Sequence, residues 1–468
     1  MAELKGIAMT IESNPKFNKH ILMAITMASN FLNPIMGEAV NVALPKIGEE
    51  FSMTAVGLSW VSMIFLLASS VFLVPFGKIS DSWGRMKMYL YSNILFALSS
   101  LFCAFSISAE MLIIGRLFQG IGAAGIFATS MAIVISASEP HERGKMIGLN
   151  VMAVYVGLSI APVLGGILTS TWGWRSLFFI TAGAVLLIIL AIVTKIKVEW
   201  VVPSNAKFDF KGTLIYMVSL SGLTYGFSHL PRTEAIILTI LGLAGLITFV
   251  KYELKQPNPV FEMQLFFKNK LFALSNLSAF INYAATFAIS FVFSLYLQYV
   301  KGLSPEKAGL VLIAQPIVMA VVASFSGKLS DTKDPRILSS IGMGASAVGL
   351  LMLSFISKET GYPYIISALL VLGFGFGMFS SPNTTSIMCS VEKRLLGLAS
   401  ATVSTMRTTG MMFSMAVAAL SVHVFIGDTE INTGNLDSFM LSMKVILITF
   451  TFLCVIGIFT SLAGKQKG

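Results

Sequence analysis

Gly77-Lys-Ile-Ser-Asp81-Ser-Trp-Gly84-Arg85-Met-Lys87 closes one apolar run and opens the next, and its first five residues return as Gly327-Lys-Leu-Ser-Asp331. Both copies end a stretch long enough to cross a bilayer, and both begin a short basic loop. Two parts of the chain thus carry one device at one depth. That arrangement is expected of transporters built from two repeated six-span halves related by an axis along the membrane normal.

Composition supports a membrane-embedded chain. Of 468 residues, 55% are apolar and only 12% charged, with mean hydropathy +0.82; soluble domains carry about 25% charged residues. The net charge of +10 is not gathered into a basic domain, so no nucleic-acid partner is implied. Cys103, Cys389 and Cys454 all lie in apolar stretches, so neither a disulfide framework nor a metal site is expected. The opening residues are polar and mixed, and no cleavable signal peptide is expected.

Fourteen apolar runs of about 20 residues can be counted, from 21–45 to 439–463. The seventh, 212–230, is diluted by Ser219, Ser221, Thr224 and Ser228. With the N-terminus placed in the cytoplasm, 23 of the 32 lysines and arginines fall on the cytoplasmic side and 7 outside, while Arg116 and Arg407 lie within spans. Positive charge stays inside, so both termini are expected in the cytoplasm. The expected division is a six-helix half at 1–195, a cytoplasmic linker at 196–211, two extra transmembrane helices at 212–251, and a second six-helix half at 252–468.

Several motifs resemble those of the major facilitator superfamily. The 77–87 stretch resembles its loop motif between spans two and three, and Gly115-Arg116-Leu-Phe-Gln119-Gly120-Ile-Gly122 its span-four motif. Gly157-Leu-Ser-Ile-Ala161-Pro162-Val-Leu-Gly165-Gly166 resembles the span-five motif of antiporters, with Ala161 where a glycine is more usual. Asn41-Val-Ala-Leu-Pro45, Trp60, Phe208-Asp209-Phe-Lys-Gly212, Gly373-Phe-Gly-Phe-Gly377 with Pro382, and Arg407-Thr-Thr-Gly410 are similar to the fourteen-span drug:proton antiporter branch. The resemblance implies an all-α exporter driven by the proton gradient, with no other cofactor. One position departs: the branch usually has an acid where this chain has Met36.

A proton-coupled carrier needs an ionisable group within the bilayer, and such a group is a functional candidate by default. Only Glu38, Asp81 and Asp331 qualify by position. Glu38 lies about 26 Å along an ideal helix from Ile21, on a polar stripe with Asn30, Asn33 and Asn41. Alternatively, the span ends near Pro34 and Gly37, and Glu38 is interfacial. Arg116 falls in the same layer. It fits either a partner that lowers the pKa of Glu38 or a structural arginine on backbone carbonyls, with Gln119 on the same face. Arg407, near mid-depth, fits a substrate contact or a tie between helices. Asn30, Asn33, Gln119, Asn282, Tyr283 and Arg407 are the candidate cavity lining. The stripe Ser278, Asn282, Thr286, Ser290 fits a cavity wall or a packing seam equally.

Asp81 and Arg85 read as a latch: a carboxylate that caps a neighbouring helix when the inner gate is closed. Gly77 would permit close approach, Gly84 a tight turn, and Asp331 would be a weaker second copy. Gly157, Pro162, Gly165 and Gly166 form a bent, smooth strip suited to close helix contact, either sealing the halves or simply packing. The expected protein is an integral membrane exporter of small amphipathic molecules in the plasma membrane of a prokaryote, functional as a monomer. Its partners would be substrate, protons and membrane lipids. The rival readings are a lipid or metabolite carrier of the same fold, with different or no proton coupling, and a non-transporting membrane sensor. An enzyme fits least.

Overall fold

The computed structural model describes residues 18–139, 142–201, 208–392 and 395–463. Lys207, Lys393 and Arg394, counted above as cytoplasmic charges, lie outside the described residues, as do most of both tails and linker residues 202–207. The described residues form helices joined by short turns, without a strand. Eleven helical stretches are long and apolar enough to cross a membrane, with Lys270–Val300 and Pro305–Leu329 each counted as one despite an internal break.

The first half of the chain holds α1 (Lys19–Phe51), α2 (Ala55–Trp83), α3 (Arg85–Ala104), α4 (Ala109–Ala137), α5 (Arg143–Trp172) and α6 (Arg175–Lys195). Then come α7 (Phe210–Ser228), α8 (Thr233–Glu253) and a short α9 (Met263–Lys268). The remainder holds α10 (Lys270–Thr286), α11 (Ile289–Leu295) with a π turn at Tyr296–Val300, α12 (Pro305–Leu312), α13 (Ala314–Leu329), α14 (Pro335–Ser354), α15 (Tyr362–Cys389), α16 (Leu396–Ile426) and α17 (Leu436–Leu462). Local chemistry sets the starts. Thr54, Ser108, Asp209, Asn269 and Ser304 each cap the helix that follows by accepting a backbone N–H.

The repeat is visible in the packing. In the first part α3 packs on α4 and α6, and α2 on α4; in the last part α14 packs on α15 and α17, and α13 on α15. α7 and α8 pack on each other, and α7 leans on both α2 and α16, across the seam between the halves. Tyr216 of α7 donates to Ser70 O at 3.2 Å, while Thr224 reaches the Met412 sulfur at 3.4 Å.

Three long helices miss the eleven: α1, α3 and α7. Their polar residues are buried: Asn30, Asn33, Glu38 and Asn41 on α1, Ser92, Asn93 and Ser100 on α3, Ser219, Thr224 and Ser228 on α7. Each polar face is turned to protein, which lowers the apolar average without exposing polar groups to lipid.

Candidate functional site

A cavity of about 60 Å³ opens where the halves meet, lined by Glu38, Pro162, Tyr283, Phe287, Ser290 and Gln315 among others. It has room for a few waters; drug-sized ligands need about 300–1,000 Å³. The second half contributes broken helices here. α10 stops at Thr286 and α11 starts at Ile289, and Ala288 N is caught by the Ser414 hydroxyl at 3.0 Å. A second break, at Ile313 between α12 and α13, precedes Gln315 and Pro316. Irregular backbone inside a membrane is tolerated where it lines a cavity or is buried in protein.

Glu38 reaches this cavity because α1 does not end at Pro34 or Gly37; the helix runs unbroken to Phe51. The interfacial alternative is therefore overturned. The side chain is 8% exposed. Its carboxylate accepts from Asn41 at 3.3 Å and has Ser290, from the opposite half, as a second hydrogen-bond partner.

Arg116 is not beside it. Its guanidinium donates to Val61 O at 3.1 Å, Met36 O at 3.2 Å and Gln119 Oε1 at 2.6 Å, and it stacks over Phe65. Of the two readings above, the structural arginine on backbone carbonyls is the one observed. Gln119 is held in turn, donating to Ser100 at 2.8 Å. Asn30 is bonded to Asn150 and Ser130, and Asn33 to Ala123 O. These three side chains tie α1, α3, α4 and α5 together away from the cavity, a correction to their expected place in its lining.

The stripe on α10 and α11 divides. Thr286 and Ser290 line the cavity. Ser278 bonds Thr460 at 2.8 Å, and Asn282 donates to the Met343 sulfur at 3.2 Å, so these two belong to the seam with α17 and α14, again a correction for Asn282. Tyr283 is in the lining, and Arg407 lies over its ring at 5.1 Å, one helical turn from Met411 of the cavity wall.

The smooth strip on α5 also divides. A Cβ at Gly157 or Gly165 would collide with backbone of α1, at Phe31 or Ala39; one at Gly166 would strike Pro305 of α12. Gly309 of α12 answers it, pressed on the Pro162 carbonyl. Only Gly166, with Pro162, joins the halves. That junction lies toward the end of the molecule that carries Trp174. Nearby, Ser294 donates to Asn41 O at 2.7 Å and Gln298 to Val42 O at 2.9 Å. The first of these answers a need created by sequence. Pro45 has no N–H to give Asn41 O, and the Ser294 hydroxyl donates in its place.

At the opposite end, Asp81 pairs with Arg85 at 2.7 Å, and Arg85 reaches across to Ser136 and Ala132 O on α4. Among the described residues Asp81 caps no helix of the other half. Gly84 has φ +118°, and a Cβ there would run into the Glu199 carboxylate, so the chain passes from α2 to α3 on a backbone that favours glycine. A Cβ on Gly77 would meet open space, which removes the close-approach reason for that glycine. Asp331 is exposed. Among the described residues no cluster of three His, Cys, Asp or Glu could hold a metal.

Ser290, Gln315, Phe287 and Met319 of the lining were not singled out as cavity residues by sequence, except Ser290 as one of two options. Pro316 was the available signal for a broken span. Glu253 was also missed. It closes α8, where nothing in the sequence announces burial, yet it is 1% exposed.

Residues 26–415 match the model of the Major Facilitator Superfamily. The chain is 27% identical over 407 residues to the riboflavin transporter RibZ of Clostridioides difficile, covering 86% of this chain and 88% of that one. It is 30% identical over 387 residues to the multidrug resistance protein Stp of Mycobacterium tuberculosis, covering 81% and 71%. Multidrug resistance protein 3 of Bacillus subtilis is 30% identical over 372 residues, covering 77% and 71%.

Proposed function

We infer that this chain, which belongs to the Major Facilitator Superfamily, exports small amphipathic molecules in exchange for protons. In this reading α1, α3 and α7 join the eleven apolar helices as spans, because their polar faces are covered by neighbouring helices. The division at 1–195, 196–211, 212–251 and 252–468 follows, with both termini and the Gly84 end in the cytoplasm. The membrane would be the plasma membrane of a prokaryote and the working unit a monomer.

The observation that carries the reading is Glu38. It is a buried carboxylate in the cavity between the halves, without a lysine or arginine partner among the described residues. A bare carboxylate is costly there, so it favours occupancy by a proton or by the positive part of a substrate. The two occupants exclude each other, and exclusion is what antiport requires. The cavity is too small for substrate as it stands, so loading requires the halves to part at the Gly84 end while the Gly166–Pro305 seal holds the other. A second reading, a carrier of an aromatic metabolite, draws on Tyr283, Phe287 and Phe376 around the cavity and on the riboflavin transporter among the relatives.

The test is substrate-driven proton movement in inside-out vesicles, followed with a pH-sensitive dye. Glu38→Gln abolishes proton release on substrate addition and leaves neutral substrates able to bind. Unchanged coupling in that variant would end the proposal for Glu38. A panel of accumulation assays with and without a protonophore separates drug from metabolite export.

A further inference from the structure

The joint between the linker and the extra helix pair holds two acids in an unusual arrangement. Asp209 caps α7, its Oδ1 accepting Gly212 N at 2.8 Å and the Tyr252 hydroxyl at 3.2 Å. Glu253 closes α8 and is almost wholly buried. Its Oε2 accepts Phe261 N at 2.9 Å. The other two oxygens, Asp209 Oδ2 and Glu253 Oε1, are buried without any hydrogen-bond donor, and so is the Thr213 hydroxyl one residue past Gly212. Both oxygens converge on the face of Gly212, where a Cβ would stand less than 3.0 Å from each. Among the described residues neither acid has a lysine or arginine in salt-bridge contact.

Two anionic oxygens that face each other away from water repel strongly, and carboxylates sharing such a site cannot both ionise. One proton resolves the conflict: the protonated carboxyl donates to its neighbour, and both orphan oxygens are satisfied at once. We propose that Asp209 and Glu253 hold a single proton between Oδ2 and Oε1, a proton-binding site separate from the central cavity. The shared proton fastens residues 208–212, where the linker meets α7, to the turn at 260–261, near the start of the second half. When it leaves, the pair repels and the joint loosens. Lys211 faces the cluster through the Tyr252 ring, 5.5 Å from its centroid. Lys251, Lys255 and Glu262 are the other charged groups of the helix end and turn. α2 and α16 meet α7 farther along, at Ser70 and Met412.

The experiment uses the full chain, purified, with Glu38→Gln present throughout, so that the central acid is silent and the export mechanism does not enter the result. The thermal unfolding midpoint of this parent falls as pH rises from about 6 to about 9, a range in which an ordinary carboxyl has already lost its proton. Asp209→Asn and Glu253→Gln each supply a permanent N–H in place of the shared proton. Each flattens that fall, and each removes a protonated-carboxyl band from the infrared spectrum. If Glu253→Gln does not fold, Asp209→Asn keeps the cap through its Oδ1 and gives the same reading. A parent whose midpoint is flat over this range would overturn the proposal, as would a slope and band that survive both substitutions. So would a midpoint restored at about pH 9 by sodium or calcium, because a metal ion would then be the occupant.

Discussion

The two copies of the loop device begin with nearly the same five residues and finish differently. In the first, Gly84 opens α3 with a backbone no other residue adopts comfortably, and the helix start is capped from far away: Glu199 accepts Met86 N at 2.8 Å and Lys87 N at 3.0 Å. In the second, the equivalent position is Asp334. It caps α14 with its own side chain, accepting Arg336 N at 2.9 Å, and Pro335 presets the first turn. Arg85 spans to α4; Arg336 turns back on Asp334. One copy borrows its cap from the linker and so senses where the linker is. The other supplies its own cap. A repeated sequence therefore does not guarantee a repeated role, and the divergence falls at the one position where a glycine admits a distant carboxylate.

The comparison can be broken most forcefully at Gly84. Gly84→Ala forces an unfavourable φ and drives a methyl into Glu199. A loss of about 1–3 kcal/mol is expected in thermal unfolding of the purified protein. Next come the caps. Glu199→Ala leaves two N–H groups of α3 unanswered and costs about 1 kcal/mol, and it also makes the 196–201 segment more easily cut by protease. Asp334→Ala costs a similar amount with no change at the linker; sensitivity of the linker in that variant would contradict a copy that supplies its own cap. Acid sharpens the same contrast. The Arg336 fork holds the Asp334 carboxyl below the usual aspartate range. Its stabilising effect is therefore complete above about pH 4 and is lost as pH falls through the lowered value, a limb that Asp334→Asn deletes. The smallest effect is at Gly77. Gly77→Ala, entering open space, leaves the unfolding midpoint nearly unchanged, whereas Gly327→Ala must push the Ser381 hydroxyl aside.

Periodicity made the helices and the inner polar stripe of α1 legible in sequence, and the resemblance of the loop, span-four and span-five motifs made the family legible. Depth along a helix was legible too: Arg116 does lie in the region of Glu38's helix, bonded to Met36 O. Direction around the axis was not, because it is fixed by neighbours such as Val61 and Phe65 from another span. The same limit hid Glu253. Its burial comes from residues 208–212 and 260–261 folding over a helix end, contacts that no local pattern announces. The polar stripe on α10 and α11 split between Asn282 and Thr286, just ahead of a helix break, and only Pro316 on the adjoining broken span hinted that backbone would be irregular in this region.

Pro45 leaves Asn41 O without its helical donor, and Ser294 from the other half fills the gap. Parting the halves at that end withdraws the donor and strands a carbonyl that is otherwise buried. In the proposed reading, solvent must arrive there for an outward-facing form to exist. Opening on that side is thus a hydration event as much as a movement, and osmolytes that lower water activity hold the carrier shut. Ser294→Ala would leave that carbonyl equally bare in both forms and weaken their dependence on solvent.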